Sequence, residues 1–488
     1  MCFYPDTRRR CLQSMTDPVA TTLRELTAAL GRCTSWKDLL DMTVLNKIVT
    51  LAATLRGLER SNSLVADDAV HKATLPATVE DFQSWLKRGM QVQFGEETFN
   101  VESMGEYGNG LRARMDLPKG SRILSIPLNL LLTSSSLPPP LAHLRQDPLC
   151  RQFPTIPLAL HILYEALSPS SFFAPYIAVL PRTLHLPIEY TVADFAALSH
   201  SKAAYESAIQ LFYNSIRQYL YLCRLFSHEP SSAPYSSDAF SLSNYTWALS
   251  VALTRQNNVP TPADPSALAL IPGWDMCNHA IGEMTTYADT DAIHCSAMNK
   301  FAAGDEIYIC YGPRPNVDLL IYSGFSLPQN PYNCPLPLVL PLKDIQHDPL
   351  AKLRTLLLQK RSATITAAGL LVHLDATSGR LASSLYREQV QLLVLDKPSL
   401  AIALRRDVDK ATTAATGHDN DGDHLVPWPD QAAMRNANAL VRDACAAVVA
   451  NYNAVDASAV HQSILSFLAT ERQVYEQVAT GQVVEFRS

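Results

Sequence analysis

The strings Trp274-Asp275-Met276-Cys277-Asn278-His279 and Glu306-Ile307-Tyr308-Ile309-Cys310-Tyr311-Gly312 carry the residue types in this chain best suited to chemistry. The first supplies an amide and the backbone of a turn; the second supplies a phenol at a strand end. Thr254-Arg255-Gln256-Asn257 comes before them and Ser323-Gly324-Phe325 after. An amide with backbone groups on one side and a phenol on the other could hold a methyl donor against a substrate nitrogen, provided the four segments meet in space.

Each of these features has a plainer reading. Tyr311 alternates with Ile309 and Ile307, as a core tyrosine with a satisfied hydroxyl would; the ordered company of Arg255, Asn257, Asn278 and His279 is what favours a site. Cys277 and His279 amount to half a ligand set with no second His-Cys group at ligand spacing, so no metal is expected. A serine hydrolase is unsupported, because Gly-x-Ser-x-Gly is absent. Gly108 and Gly110 lack a third glycine at phosphate-loop spacing. They would still let backbone approach an extended ligand closely, since glycine has no Cβ. Asp419-Asn420-Asp421-Gly422-Asp423 has the look of a calcium loop, but His424 and Asp430 stand where the required glycine and glutamate belong, which leaves a solvated loop.

Composition bounds the rest. At 488 residues the chain exceeds what one core usually organises, so two or three domains are expected. Forty basic against 46 acidic residues give a net charge of −6 without a basic run, which argues against nucleic acid and for a protein or small-molecule partner. The ten cysteines form no Cys-x-x-Cys pair and read as reduced thiols of a cytoplasmic protein, with the nucleus as the alternative. Arg8-Arg9-Arg10 has no apolar stretch behind it, and Asp6 and Asp17 interrupt any mitochondrial leader. No window of eighteen apolar residues exists, so no membrane partner is expected.

The elements that must position these residues follow from periodicity. Between 18 and 60, Leu23, Leu26 and Leu30, then Leu39, Leu40, Val44, Ile48 and Leu51, recur at helical intervals. Val79 to Trp85 reads as a further helical turn. From Glu106 to Arg114 and through Pro118-Lys119-Gly120 to a strand at Ile123–Ile126, the grammar is that of hairpins. Tyr205, Ile209, Phe212, Ile216, Tyr219 and Cys223 lie on one stripe of a helical insertion at about 188–240. Strand alternation returns at Ile307–Tyr311. Helical stripes at 350–358, 381–395, 437–449 and 464–478, around a polar loop at 411–424, predict an all-helical last third.

With these strings in place, the chain resembles the SET-domain methyltransferases, in the Rubisco-methyltransferase-like group. Thr254–Asn257, Ala267-Leu268-Ala269-Leu270-Ile271-Pro272, Trp274–His279 and Pro175-Tyr176-Ile177-Ala178-Val179-Leu180-Pro181 are similar to its actin-histidine N-methyltransferase branch. The resemblance covers about residues 75 to 480. It implies an α+β fold: an N-terminal helical segment (1–75), a SET domain (76–342) carrying the helical insertion, and an all-helical substrate-binding domain (343–488). It also implies a knot-like crossing near Asn278 and His279, against the usual rule.

For the site, the resemblance implies S-adenosyl-L-methionine held by Tyr107, Gly108, Asn109, Arg255, Asp275, Met276, Cys277, Asn278, His279 and Ser323. It implies Tyr311 and Asn257 as catalytic residues, with Trp274, Gln256 and Asn257 against the substrate. Trp274 also has a reading as a core tryptophan, and both stay open. An arginine ahead of the SET region touches the cofactor in the family; here only Lys72 and neutral residues stand there. The implied activity is methylation of a histidine ring nitrogen, Nε2, in actin, by a monomeric enzyme.

Two alternatives remain. One is a lysine methyltransferase of the same fold and the other a catalytically silent peptide-binding module. Protonation separates the first from the histidine reading. A lysine with pKa about 10.4 must lose a proton at a cost of roughly 4 to 5 kcal/mol near neutrality, whereas an imidazole with pKa about 6.5 is mostly neutral already. Lysine-specific relatives tend to place an aromatic where Asn257 stands; an amide there suits a flat polar ring.

Overall fold

The computed structural model describes residues 17–59, 76–90, 98–105, 108–228, 234–235, 239–259, 264–342, 349–414, 428–483 and 486. Tyr107, Lys72 and the Asp419–Asp423 loop lie outside them. Two compact units divide at Gly324 and Phe325.

In the first unit, Asp17 and Asp41 each accept from the N–H two residues on and start helices α1 (Pro18–Leu30) and α2 (Met42–Leu58). These bury Leu26 and Leu30 and, on α2, Leu45, Ile48, Ala52 and Leu55. Helix α3 (Pro76–Gly89) turns Phe82, Trp85 and Leu86 inward.

Strands β1 (Phe99–Ser103), β2 (Asn109–Ala113), β3 (Arg122–Pro127) and β4 (Leu132–Thr133) follow. A helical stretch then holds α4 (Pro148–Gln152), α5 (Thr155–Leu167), α6 (Ala174–Val179), α7 (Val192–Leu198), α8 (Lys202–His228) and α9 (Leu242–Arg255). It is wider than the expected insertion at 188–240: α4 and α6 have only five and six residues, too few to show a helical period, and α5 is buried on most sides and lacks a polar face. On α8 the expected stripe is buried through Tyr205, Ile209, Phe212, Ile216 and Tyr219.

Strands β5 (Asn257–Asn258), β6 (Leu268–Leu270), β7 (Thr286–Ala288), β8 (Ala292–Ser296) and β9 (Glu306–Ile307) complete three small antiparallel sheets, β1-β2-β9, β3-β8-β7 and β4-β6-β5. Beyond β9 the expected strand survives as one parallel bridge, His279 with Ile309. Helix α10 (Asn316–Ser323) ends the unit on Gly324, whose left-handed φ of 79° lets its N–H close on Leu320 O.

The second unit corrects the all-helical expectation. Strands β10 (Leu336–Leu340), β11 (Thr364–Thr366) and β12 (Gly369–Leu374) form an antiparallel sheet in the order β10-β12-β11. Helix α11 (Ala351–Lys360) precedes β11, and α12 (Ser384–Val394), α13 (Lys397–Ala414), α14 (Gln431–Asn453) and α15 (Gln462–Ala479) follow β12. The run Gly369-Leu-Leu-Val-His-Leu is short and apolar, and periodicity alone does not separate such a run from helix. No described helix is long and apolar enough to cross a membrane.

Candidate active site

Helix α9 is buried along nearly its whole length and delivers Arg255 at its last turn. A 3-10 turn at Trp274–Met276 faces it, entered through Gly273 with φ 87°. The Arg255 guanidinium donates through Nη1 to the Asp275 carbonyl oxygen, and the same Nη1 lies 3.7 Å from Asp275 Oδ2. Tyr176, on α6, donates its hydroxyl to that Oδ2 at 2.5 Å. Burial pushes the Asp275 carboxyl up from its ordinary value, and Arg255 and Tyr176 pull it back.

After the turn the chain straightens and pairs with the segment that carries the phenol. Ile309 N–H donates to Asn278 O at 3.0 Å, and Ala280 N–H to Ile309 O at 2.9 Å. Asn278 donates through Nδ2 to Glu306 Oε1 at 2.6 Å, and Tyr308 donates to Glu306 Oε2 at 2.8 Å. This pairing brings Tyr311 back over the turn. Its hydroxyl donates to Cys277 O at 2.8 Å, and its ring stacks on His279 with centroids 5.0 Å apart.

The backbone N–H of Tyr311 donates to His279 Nδ1 at 3.1 Å. An N–H can only donate, so this nitrogen accepts and the ring proton sits on Nε2. Ile309 O, 3.3 Å from the same nitrogen, is then a close neighbour rather than an acceptor. Burial lowers the His279 pKa and favours the neutral ring. Burial also pushes the Tyr311 phenol up, with Arg255 opposing, and raises the Cys277 thiol well above its ordinary value.

Asn257, the first residue of β5, donates through Nδ2 to Arg255 O at 3.0 Å. Because the partner is a carbonyl, the amide orientation is fixed, and Oδ1 is left as an acceptor. Two buried polar atoms of this cluster, Arg255 Nε and Asp275 Oδ1, lack a protein partner, as does Ser323 Oγ at the end of α10.

Arg255, Asp275, Cys277, Asn278, His279 and Tyr311 are thus joined by hydrogen bonds or ring contact, with Asn257 attached through Arg255. Met276 is buried within the same turn. Other candidates are engaged elsewhere. Gln256 accepts from Thr155 at 2.9 Å, and Asn109 donates to Val179 O at 3.3 Å beside Gly108, whose φ is 77°. Trp274 is 2% exposed and donates to Thr286 Oγ1 at 2.8 Å, so its indole is part of the packed wall. Sequence reasoning gave no role to Tyr176 or Glu306. Alternation puts Glu306 with Tyr308 on the face opposite Tyr311, so the strand pattern gave no cue to it, and nothing local marks Tyr176. Among the described residues no group of three or more histidine, cysteine or acidic side chains is arranged to hold a metal.

No family model matches the chain. It is 36% identical over 245 residues to actin-histidine N-methyltransferases of Rattus norvegicus and Homo sapiens, a match covering 49% of this chain and 41% of each relative. The matched stretch therefore spans less than half the length of those relatives. Among solved structures, it superposes on the SET domain of LSMT bound to lysine and AdoHcy with a TM-score of 0.52 at 17% identity, covering 83% of this chain and 91% of that one. On Rubisco LSMT bound to sinefungin and monomethyllysine the TM-score is 0.54 at 17% identity, with 84% and 95% covered. The chain has the α+β fold of the SET-domain methyltransferases and, over about half its length, the sequence character of the actin-histidine N-methyltransferases.

Proposed function

We propose that the chain is an S-adenosyl-L-methionine-dependent protein-histidine N-methyltransferase that modifies ring nitrogen Nε2 of a histidine in actin. The observation that carries this reading is the Tyr311 phenol held on Cys277 O beside Arg255, with the acceptor face of the Asn257 amide attached to the same arginine.

The residues fit the cofactor. Arg255 Nε and Ser323 Oγ are buried donors and Asp275 Oδ1 a buried acceptor, all without a protein partner. A buried polar atom left so costs about 1 to 3 kcal/mol. A ligand with hydroxyl, amino and carboxylate groups would satisfy all three. Arg255, Asp275 to His279 and Ser323 would hold it, with Gly108 and Asn109 at its edge. When bound, the sulfonium supplies an electrophilic methyl group.

The chain's own part is orientation and exclusion. Tyr311 and the carbonyls of the turn would line the electrophile with oxygens that stabilise positive charge without reacting. Asn257 Oδ1 would accept the Nδ1–H of the target ring and leave the Nε2 lone pair forward. Because the target imidazole is already mostly neutral near pH 7, the chain need supply no strong base: Asn257 would only hold the Nδ1 proton until the ring gave it up to solvent. In-line positioning alone supplies several kcal/mol.

None of the described cysteines forms a disulfide, which suits a cytoplasmic enzyme. The net charge of −6 suits a protein substrate rather than nucleic acid. The test is to incubate the pure protein with labelled cofactor and an actin-derived peptide bearing the target histidine, beside its His→Ala and His→Lys versions. Label on the imidazole is expected; label on lysine, or none, would overturn the reading.

A further inference from the structure

The Asp275 side chain is wholly buried, yet its guanidinium neighbour bonds the backbone carbonyl and stays 3.7 Å from the carboxylate. The hydroxyl that does bond the carboxylate comes from Tyr176, 99 residues away in sequence. Tyr176 is itself fully buried, its ring parallel to Trp85 at 6.2 Å and tilted against Phe82 at 5.9 Å, both on α3. Packing would be served as well by phenylalanine. A buried hydroxyl is tolerated only where it has a partner, and the partner here is Asp275.

We propose that Tyr176 is a positioning residue for the cofactor side of the site: its hydroxyl fixes the Asp275 carboxylate as an anion, and the anion in turn fixes the Arg255 guanidinium. This inference rests on the proposed function. Without the hydroxyl, the buried carboxylate would keep only a guanidinium at 3.7 Å and the backbone of Gly273 and Asp275, and it would protonate more readily. Once neutral it would leave Arg255 held only through the backbone carbonyl, and the alignment of Oδ1 and Nε would loosen. The groups facing Asp275 are Arg255 from α9, Tyr176 from α6, the backbone of Gly273 and of Asp275 itself, and the thiol of Cys277 and phenol of Tyr311 from the segments beyond. The first four favour the anion. The thiol and phenol are neutral at working pH, so Asp275 sets the acid limb of cofactor binding.

Tyr176→Phe removes one oxygen and keeps the ring on Trp85. Binding of S-adenosylhomocysteine to the full chain, followed by calorimetry across acid to mildly alkaline pH, should weaken roughly tenfold. The acid limb should move to higher pH. In a Asp275→Asn background the same substitution should add nothing, and Asp275→Asn alone should erase the limb. Trp85→Phe loosens the same ring and should lower the melting temperature with the limb unmoved, as a merely structural role would. Native affinity and an unmoved limb in Tyr176→Phe would overturn the proposal. So would a limb that persists in Asp275→Asn, which decides the matter even if Tyr176→Phe does not fold. If the unsubstituted chain takes up no S-adenosylhomocysteine, the cofactor reading falls and the inference with it. If it binds and Tyr176→Phe binds equally, the inference alone falls.

Discussion

A phenol that donates to a carbonyl, as Tyr311 does to Cys277, presents lone pairs rather than a proton to its other neighbours. That is the polarity a cationic methyl donor needs. Burial keeps the phenol protonated, because its pKa is raised, so ionisation plays no part near neutrality. Tyr311→Phe should slow methyl transfer by about ten- to a hundredfold while cofactor affinity holds, as loss of one preorganised dipole does elsewhere. Single-turnover assays beside calorimetry check it, and native turnover would remove Tyr311 from the catalytic set. Asn257 makes a different demand. Its Nδ2 is committed to Arg255 O, which leaves Oδ1 as an acceptor; in the proposed reading that acceptor suits an N–H rather than an aliphatic stem. Asn257→Phe should therefore raise the ratio of lysine to histidine methylation, read by mass spectrometry on paired peptides; an unchanged ratio would remove the amide from specificity.

Helix α9 shows how an element delivers a residue to its task. Ser241 caps it through Asn244 N–H at 3.1 Å, and Glu59 at the end of α2 accepts from Leu242 N–H at 2.9 Å, so the N-terminal helices hold one end while Arg255 works at the other. In the second unit, β12 enters at Gly369 with φ 146°, where a Cβ would stand 2.1 Å from Leu340 O. Backbone cannot yield as a side-chain tip can. Gly369→Ala should cost about 2 to 3 kcal/mol, seen as a lower melting temperature by calorimetry; a stable variant would mean that β10 and β12 separate without penalty. The same strand explains what was hard to read. Amphipathic helices such as α8, α14 and α15 declare themselves by long stripes, but a six-residue strand opened by a glycine reveals its close approach to Leu340 only in space. Hence the fold class was legible and the sheet of the second unit was not.

At the scale of the molecule, the clustering of Arg255, Asn257, Asp275–His279 and Tyr311 was legible because these residues come from successive short strings whose residue types already agree. Tyr176 and Glu306 escaped because one comes from a six-residue helix far up the chain and the other looks like an ordinary strand carboxylate. Charge is distributed just as widely, and it gives both units an acid limit. Asp38 and Asp289 in the first unit, and Asp375, Asp396 and Asp456 in the second, are held below the usual carboxylate range by hydrogen bonds at caps and turns. Asp289 is the extreme case, brought down to about 2 by His294 first and then by the N–H groups of Asp291 and Ala292. A carboxyl with a depressed folded pKa stabilises fully above its unfolded value, about 3.9, and that contribution disappears as pH falls through the folded value. Melting temperature should therefore fall progressively as pH drops from about 5 toward 2. Asp289→Asn should melt below the native chain at neutral pH, with the gap closing toward pH 2, because the native carboxyl is by then protonated too. A gap that stays constant across the range would show that Asp289 stabilises the β7–β8 turn by shape and not by its charge.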